Sequence, residues 1–161
     1  MTYYSFDPRD NIRRAIGVRS DRNLDNQDEW VIEVYDDDND TVYIPLLLPE
    51  ETRSDTPYNM PYVELLLISS PARVHNIQGD VREQEAYIDL NVWYTNTDGI
   101  SATSFGKRIA DELVNQIMTY RHSVVSVDWV EVNDDGRELV EPTGTQVFYH
   151  RVVGVYAKKY G

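Results

Sequence analysis

Within the stretch Glu83 to Thr95 the chain alternates apolar and more polar residues from Glu85 to Tyr94. Ala86, Ile88, Leu90, Val92 and Tyr94 fall on one side, Glu85, Tyr87, Asp89, Asn91 and Trp93 on the other. Successive side chains of a strand point to opposite faces, so this stretch predicts a strand with one buried and one half-polar face. A single long helical pattern follows, from Ala102 to about Arg121, with Asp98 or Ser101 as its cap. Phe105, Ile109, Leu113 and Ile117, with Ala102, Ala110 and Val114, make its apolar stripe; Lys107, Arg108, Asp111 and Asn115 lie opposite. One face of that helix must pack on a sheet.

The remaining elements are read around these two. Asp7-Pro8 opens a short helix in which Ile12, Ala15 and Ile16 share a side and Gly17 is the stop. Residues 18–28 read as a loop. Trp30 to Tyr35 reads as a strand, Asp36 to Asp40 as a turn and Thr41 to Leu48 as the hairpin partner, which Pro45 pushes toward a sheet edge. Residues 49–61, with three prolines, read as an irregular connection, and Tyr62 to Ile68 as a central strand. Ser69 to Asp80 reads as an exposed loop. After the long helix come a strand from Val124 to Val132, a hairpin-type turn at Asn133-Asp134-Asp135-Gly136 and a return beginning at Arg137 to Val140. A further turn at Pro142-Thr143-Gly144 precedes a last strand, Gln146 to Lys158. No internal repeat or linker interrupts the 161 residues, so the expectation is one α+β domain over 1–161. It holds a single mixed, mainly antiparallel sheet, one long amphipathic helix on one face, a short N-terminal helix and extended hairpins.

The search for chemistry is mostly negative. Without cysteine there is no disulfide scaffold, thiolate zinc site or cysteine nucleophile. Asp36-Asp37-Asp38-Asn39-Asp40 starts like a calcium loop, but Thr41 and Leu47 stand where that loop needs glycine and a bidentate glutamate. It reads as a solvated turn. His75, His122 and His150 are too scattered for metal-ligand spacing. No Gly-x-Ser-x-Gly, Gly-x-Gly-x-x-Gly or Walker A sequence is present. Glu64, Glu83, Glu85 and Asp89 are the one arrangement that suggests a metal-dependent hydrolase, and alternate carboxylates on a strand more simply meet water. The expectation is no enzyme, no catalytic residue, no cofactor and no metal.

Charge and aromatic content are more informative. With 28 acidic and 15 basic residues the net charge is -13, a field that repels phosphate backbones and disfavours specific nucleic-acid binding. Seventeen Asp, eleven Glu, twelve Arg and three Lys make a bias that resembles proteins of salt-loving archaea and their viruses; an acidic protein of an ordinary cytoplasm is the alternative. The N-terminus has no signal-peptide pattern and no apolar run approaches a membrane span, which predicts a soluble protein that is not secreted. Twelve tyrosines and three tryptophans are many for this length. Tyr87, Trp93 and Trp129 either form an interface or pack under the long loops. Asp134, Asp135 and Arg137, in an acidic turn with little reason to fold back on its own core, complete the candidate interface; the turn either projects from the subunit to meet a neighbour or is an ordinary surface turn.

Three segments carry a family resemblance: Pro61-Tyr62-Val63-Glu64-Leu65, the strand Glu85 to Tyr94, and the helix Phe105-Gly106-Lys107-Arg108-Ile109-Ala110-Asp111-Glu112-Leu113. Together with the final His150-Arg151-Val152-Val153-Gly154-Val155, they resemble the tail terminator, or tail completion, proteins of long-tailed viruses. The likeness spans roughly residues 7–20 and 61–158. It implies a structural virion protein at the head-tail joint, assembled in the host cytoplasm. Such a protein forms a homo-oligomeric ring, a hexamer, that caps the tail tube, ends its polymerisation and meets the head connector, while DNA passes through. The longer hairpin at 30–48 leaves open another head-tail connector or head-completion protein. Open strand edges suggest that a neighbour adds its own strand.

Overall fold

The computed structural model describes residues 6–20, 29–36, 38–52, 61–74, 82–94, 102–134, 136, 138–143 and 146–160. In chain order the elements are α1 (Arg9–Ile16), β1 (Val18–Ser20), β2 (Glu29–Tyr35), β3 (Thr41–Leu47), α2 (Pro49–Thr52), β4 (Tyr62–Ser69) and β5 (Ala72–Val74). They continue as β6 (Arg82–Tyr94), α3 (Ala102–Tyr120), β7 (Trp129–Asp134), β8 (Glu138–Thr143) and β9 (Gln146–Tyr160). Among the described residues, nine strands join in one sheet of order β1-β2-β3-β4-β6-β9-β7, with β5 also on β6 and β8 also on β9. All pairings are antiparallel except β3 with β4, so the α+β class and the mixed, mainly antiparallel sheet expected from the sequence are what the chain forms.

The alternation in β6 sets the inside. Ala86, Ile88, Leu90, Val92 and Tyr94 are buried, and the same face of β9 adds Val153, Val155 and Ala157. Ile109, Ala110, Leu113 and Ile117 of α3 close over them, with Ile12 and Ile16 of α1 in the same cluster. Burial of this kind is worth about 1.5 to 3 kcal/mol for each large aliphatic side chain. Pro8 stands at the start of α1, and the Asp7 carboxylate accepts the Arg9 backbone N–H at 3.2 Å. The Gly17 N–H closes the far end on the Arg13 carbonyl at 2.8 Å.

One contact fixes how closely α3 approaches. A Cβ placed on Gly106 would overlap the ring of Tyr94, so glycine alone lets the helix rest on that ring. The Tyr94 hydroxyl donates to Glu138 Oε1 at 2.8 Å, tying β6 to β8 beneath the first turns of α3. Burial first, then this hydrogen bond and the Glu138 charge, hold the phenol's pKa well above its ordinary 10.0, with Arg151 acting the other way. The fold therefore prefers the neutral phenol. Its contribution is fully present below pH 10 and is lost as pH rises through the elevated folded value. Tyr94→Phe is expected to cost about 1 kcal/mol at neutral pH. Denaturant melts taken upward from neutrality should show that the variant loses less stability than the wild type above pH 10; parallel losses would mean that Tyr94 does not titrate in this way.

The structure departs from the sequence reading in several places. Residues 18–20 pair with β2 as a short strand instead of looping, and Ala72–Val74 do the same on β6. Pro49–Thr52 form one helical turn within the expected irregular connection. Pro45 is not on an edge: β3 pairs with β2 through Pro45 and passes to β4 at Leu46 and Leu47. Proline, which has no N–H to give, stands where the strand changes partners. The strand expected from Val124 begins only at Trp129. Ser126 takes a left-handed φ of 62° between buried Val124 and half-buried Val127, which bends residues 124–128 out of the sheet.

The largest departure is at residues 133–137. Both β7 and β8 run antiparallel to β9, β7 on Val155 to Lys158 and Gly154, β8 on Gln146 to Arg151. They therefore point the same way and form one interrupted outer strand. The register shifts between Val132 and Asp134, and the segment that follows links two lengths of one strand instead of turning a hairpin between β7 and β8. The expected turn at 142–144 also moves, because Pro142 and Thr143 are still paired in β8; Gly144 lies outside the described residues.

Candidate protein interface

Both α1 and α3 lie on the side that carries Ala86 to Tyr94; among the described residues neither covers the other side of the sheet. The register lays that second face out in rows. Glu85, Lys158 and Trp129 share one row; Ser69, Tyr87, Tyr156 and Glu131 the next; then Leu66, Asp89, Gly154 and Asp134; Glu64, Asn91 and Val152; and finally Tyr62, Trp93 and His150. Of the residues singled out from the sequence, Tyr87, Trp93, Trp129 and Asp134 thus stand on one face. They do not form one cluster, since Tyr87 and Trp93 are six residues apart along β6, about 20 Å. Asp135 and Arg137 lie outside the described residues.

Each aromatic has a partner within the chain. Tyr87, 37% exposed, meets Tyr156 with ring centroids 5.1 Å apart. Trp93 stacks on the buried His150 at 4.5 Å. Trp129 holds the Arg121 guanidinium over its ring at 5.3 Å and the edge of His122 at 6.3 Å, and its indole N–H donates to Glu131 at 3.2 Å. These aromatics pack on neighbouring side chains and leave part of their area at the surface. Ile68, Tyr160 and Trp129 add exposed apolar surface at the same end of the face.

Of the acidic segment, Gly136 lies close to the body of the protein. Gly136, at φ +99°, lies where an added Cβ would stand 3.3 Å from the Val152 carbonyl and 3.8 Å from Ala110 of α3. Its N–H is taken by the Asp134 carboxylate at 3.0 Å. The expected hairpin is corrected, since β7 and β8 both pair with β9; whether the acidic segment projects turns on Asp135, which lies outside the described residues. Bulges, Pro142 and charged residues such as Glu131, Asp134 and Glu138 are devices that keep an edge strand from pairing with another chain.

The carboxylates suspected of hydrolytic chemistry are held apart. Glu83, buried, forms an ion pair with Lys158. Glu64 stands opposite Asn91, and Asp89 opposite Gly154. Among the described residues, the one group of acidic side chains able to converge on an ion is Asp36, Asp38 and Asp40. There the Asp36 carboxylate already accepts the backbone N–H groups of Asp38 and Asp40, at 2.9 and 2.8 Å, as an ordinary turn does.

Three arginines collect on α1. On α1, Arg9 pairs with Asp7, and Arg13 and Arg14 both pair with Asp10. The Arg9 hydrogen bond outweighs burial and keeps Asp7 below the ordinary carboxylate range. Burial pushes Asp10 upward, but the two arginines together lower it. Sequence reasoning missed Tyr156, Lys158 and Gly154 as members of the second face. Their signal was present, because they occupy alternate positions in β9 opposite Tyr87, Glu85 and Asp89. No protein-family model matches the chain, and no curated protein is significantly similar to it.

Proposed function

We propose that this protein is a structural component of a virion, of the tail terminator kind: a ring-forming subunit that caps the tail tube, stops its growth and offers a surface to the head connector. The observation that carries this reading is the one-sided architecture. The helices that cover the core lie on one face, while the other presents aromatic and charged rows without a helical layer among the described residues. A closed ring needs two different complementary patches on each subunit. The acidic and aromatic sheet face and the arginine-bearing α1 are two such patches. The guarded β7–β8 edge favours contact through faces rather than strand addition. A net charge of -13 suits a channel through which DNA passes without being held.

The test is the state of the protein on assembled particles. Native mass spectrometry at high and low salt, with imaging of tails, is expected to show a closed ring, a hexamer, at the tube end. A monomer in free solution agrees with this reading, because the tube can template the ring; a monomer within the particle, or no protein at the tube end, overturns it.

A further inference from the structure

Past the end of α3, where β7 begins and β9 ends, exposed aromatic and basic side chains gather. Trp129 is 38% and Tyr160 56% exposed. The Arg121 guanidinium lies over the Trp129 ring at 5.3 Å and Lys158 Nζ over Tyr160 at 5.0 Å, with His122 beside Trp129. The carboxylates close by are engaged. Glu83 pairs with Lys158, Asp128 accepts the Tyr160 N–H at 2.7 Å, and Glu131 accepts the Trp129 indole N–H. Arg121 differs from its neighbours: among the described residues no carboxylate pairs with it, in a chain with 28 acidic side chains.

The complement lies at the other end of the molecule. At the β2–β3 turn the carboxylates of Asp36, Asp38 and Asp40 converge within 4.8 Å, and Asp38 and Asp40 are exposed with no cationic partner among the described residues. Tyr35, 62% exposed, flanks them. Leu46 of β3 stands opposite Val63, which aligns with Val92 and Arg151 across the sheet. Thr41 lies five residues beyond that level in one direction, and Lys158, beside Trp129, seven residues beyond it in the other. The two patches are thus on the order of 40 Å apart along the strands, out of reach of each other within one molecule.

We propose that the corner formed by Arg121, Trp129 and Tyr160 receives the Asp38 and Asp40 carboxylates of a second copy of this chain, head to tail. A guanidinium held on an aromatic ring still offers N–H donors that match carboxylates in forked pairs. Trp, Tyr and Arg are also the side chains that dominate binding energy at protein interfaces. A contact between two different patches is heterologous, the kind from which rings close. The inference rests on the ring reading for that closure and adds a point contact to its faces. Net charge opposes the approach of two copies at long range, but salt screens that field beyond about 8 Å at physiological strength and leaves close contacts in force.

The test exploits the lack of cysteine in the chain. Thr41→Cys, beside the turn, and Ser123→Cys, beside the corner, are placed in separate copies and mixed under mild oxidation at physiological salt. Asn115→Cys, exposed midway along α3, replaces Ser123→Cys to measure random collision. A disulfide joining positions 41 and 123 is expected in clear excess over this control. Arg121→Glu in the Ser123→Cys copy should cut its yield about tenfold, and Asp38→Arg with Asp40→Arg in the other copy should restore it. Thermal melts check that each variant folds. A yield no higher than the control, one that survives Arg121→Glu, or a predominance of like-to-like disulfides overturns the proposal, the last by showing a two-fold dimer. So does binding of an aspartate-rich peptide, read at the indole N–H signal of Trp129, in a protein that gives no such disulfide, because the occupant is then a different acidic partner. The ring reading is judged separately. Rings imaged at tube ends without the disulfide remove this contact alone; the disulfide in a protein missing from tube ends removes the ring alone.

Discussion

Replacing Leu113 by alanine is expected to remove about 2 to 5 kcal/mol of stability, as is the same change at Ile109, because both side chains are fully enclosed between α3 and the sheet. Lys107 and Asp111, one turn apart on the exposed side of the helix, pair with each other at 3.6 Å. A surface ion pair of this kind contributes little, so alanine at either position should stay within about 0.5 kcal/mol. Thermal melts of the four variants separate the two classes. Equal losses at all four would mean that the helix presents a different face to the sheet.

Gly106→Ala is the more revealing change. In an exposed helix interior, alanine is better than glycine by about 1 kcal/mol. Here the methyl group would enter the ring of Tyr94, whose hydroxyl is anchored on Glu138. Forcing a group into a packed contact costs about 1 to 3 kcal/mol, and the helix would have to lift from β6 to relieve it. The expected result is net destabilisation, largely restored in the double variant Gly106→Ala/Tyr94→Leu, in which the ring is gone. A Gly106→Ala protein more stable than the wild type would show that α3 does not rest on Tyr94.

The parts of the fold legible in the sequence are those whose period repeats often enough to be read. Ten residues of alternation, Glu85 to Tyr94, define β6, and nineteen residues of helix carry a stripe that recurs at Phe105, Ile109, Leu113 and Ile117. Three-residue strands such as Val18–Ser20 and Ala72–Val74 contain no period, because their partner decides them rather than their composition. Val124, Val125 and Val127 suggested a strand through β-branching, yet Val124 is enclosed and Val125 is 72% exposed in an irregular bend. The Asn-Asp-Asp-Gly segment has hairpin chemistry, and Gly136 does use the left-handed freedom that glycine supplies. What local chemistry cannot say is which strand the chain will pair with next. The aromatics were legible as residues of interest, but Gly154 and Lys158 acquire their places only through the long β6–β9 ladder.

That ladder has an arithmetic of its own. From Trp129 to Val132 the paired residue numbers add to 287, as in Trp129 with Lys158; Asp134 with Gly154 adds to 288, and along β8 the sum is 289, as in Leu139 with His150. The outer strand therefore carries two more residues than the strand it follows. Because side chains alternate with a period of two, an excess of two leaves inside and outside unchanged beyond the interruption. Glu138 still points toward Tyr94. Had the excess been one residue, Glu138 would face the opposite side of the sheet and the hydroxyl of Tyr94 would lose its acceptor. Changes of length in this segment are thus constrained by parity: the outer strand tolerates gaining or losing residues in pairs, and a single insertion or deletion there would act at every position that follows, up to Thr143.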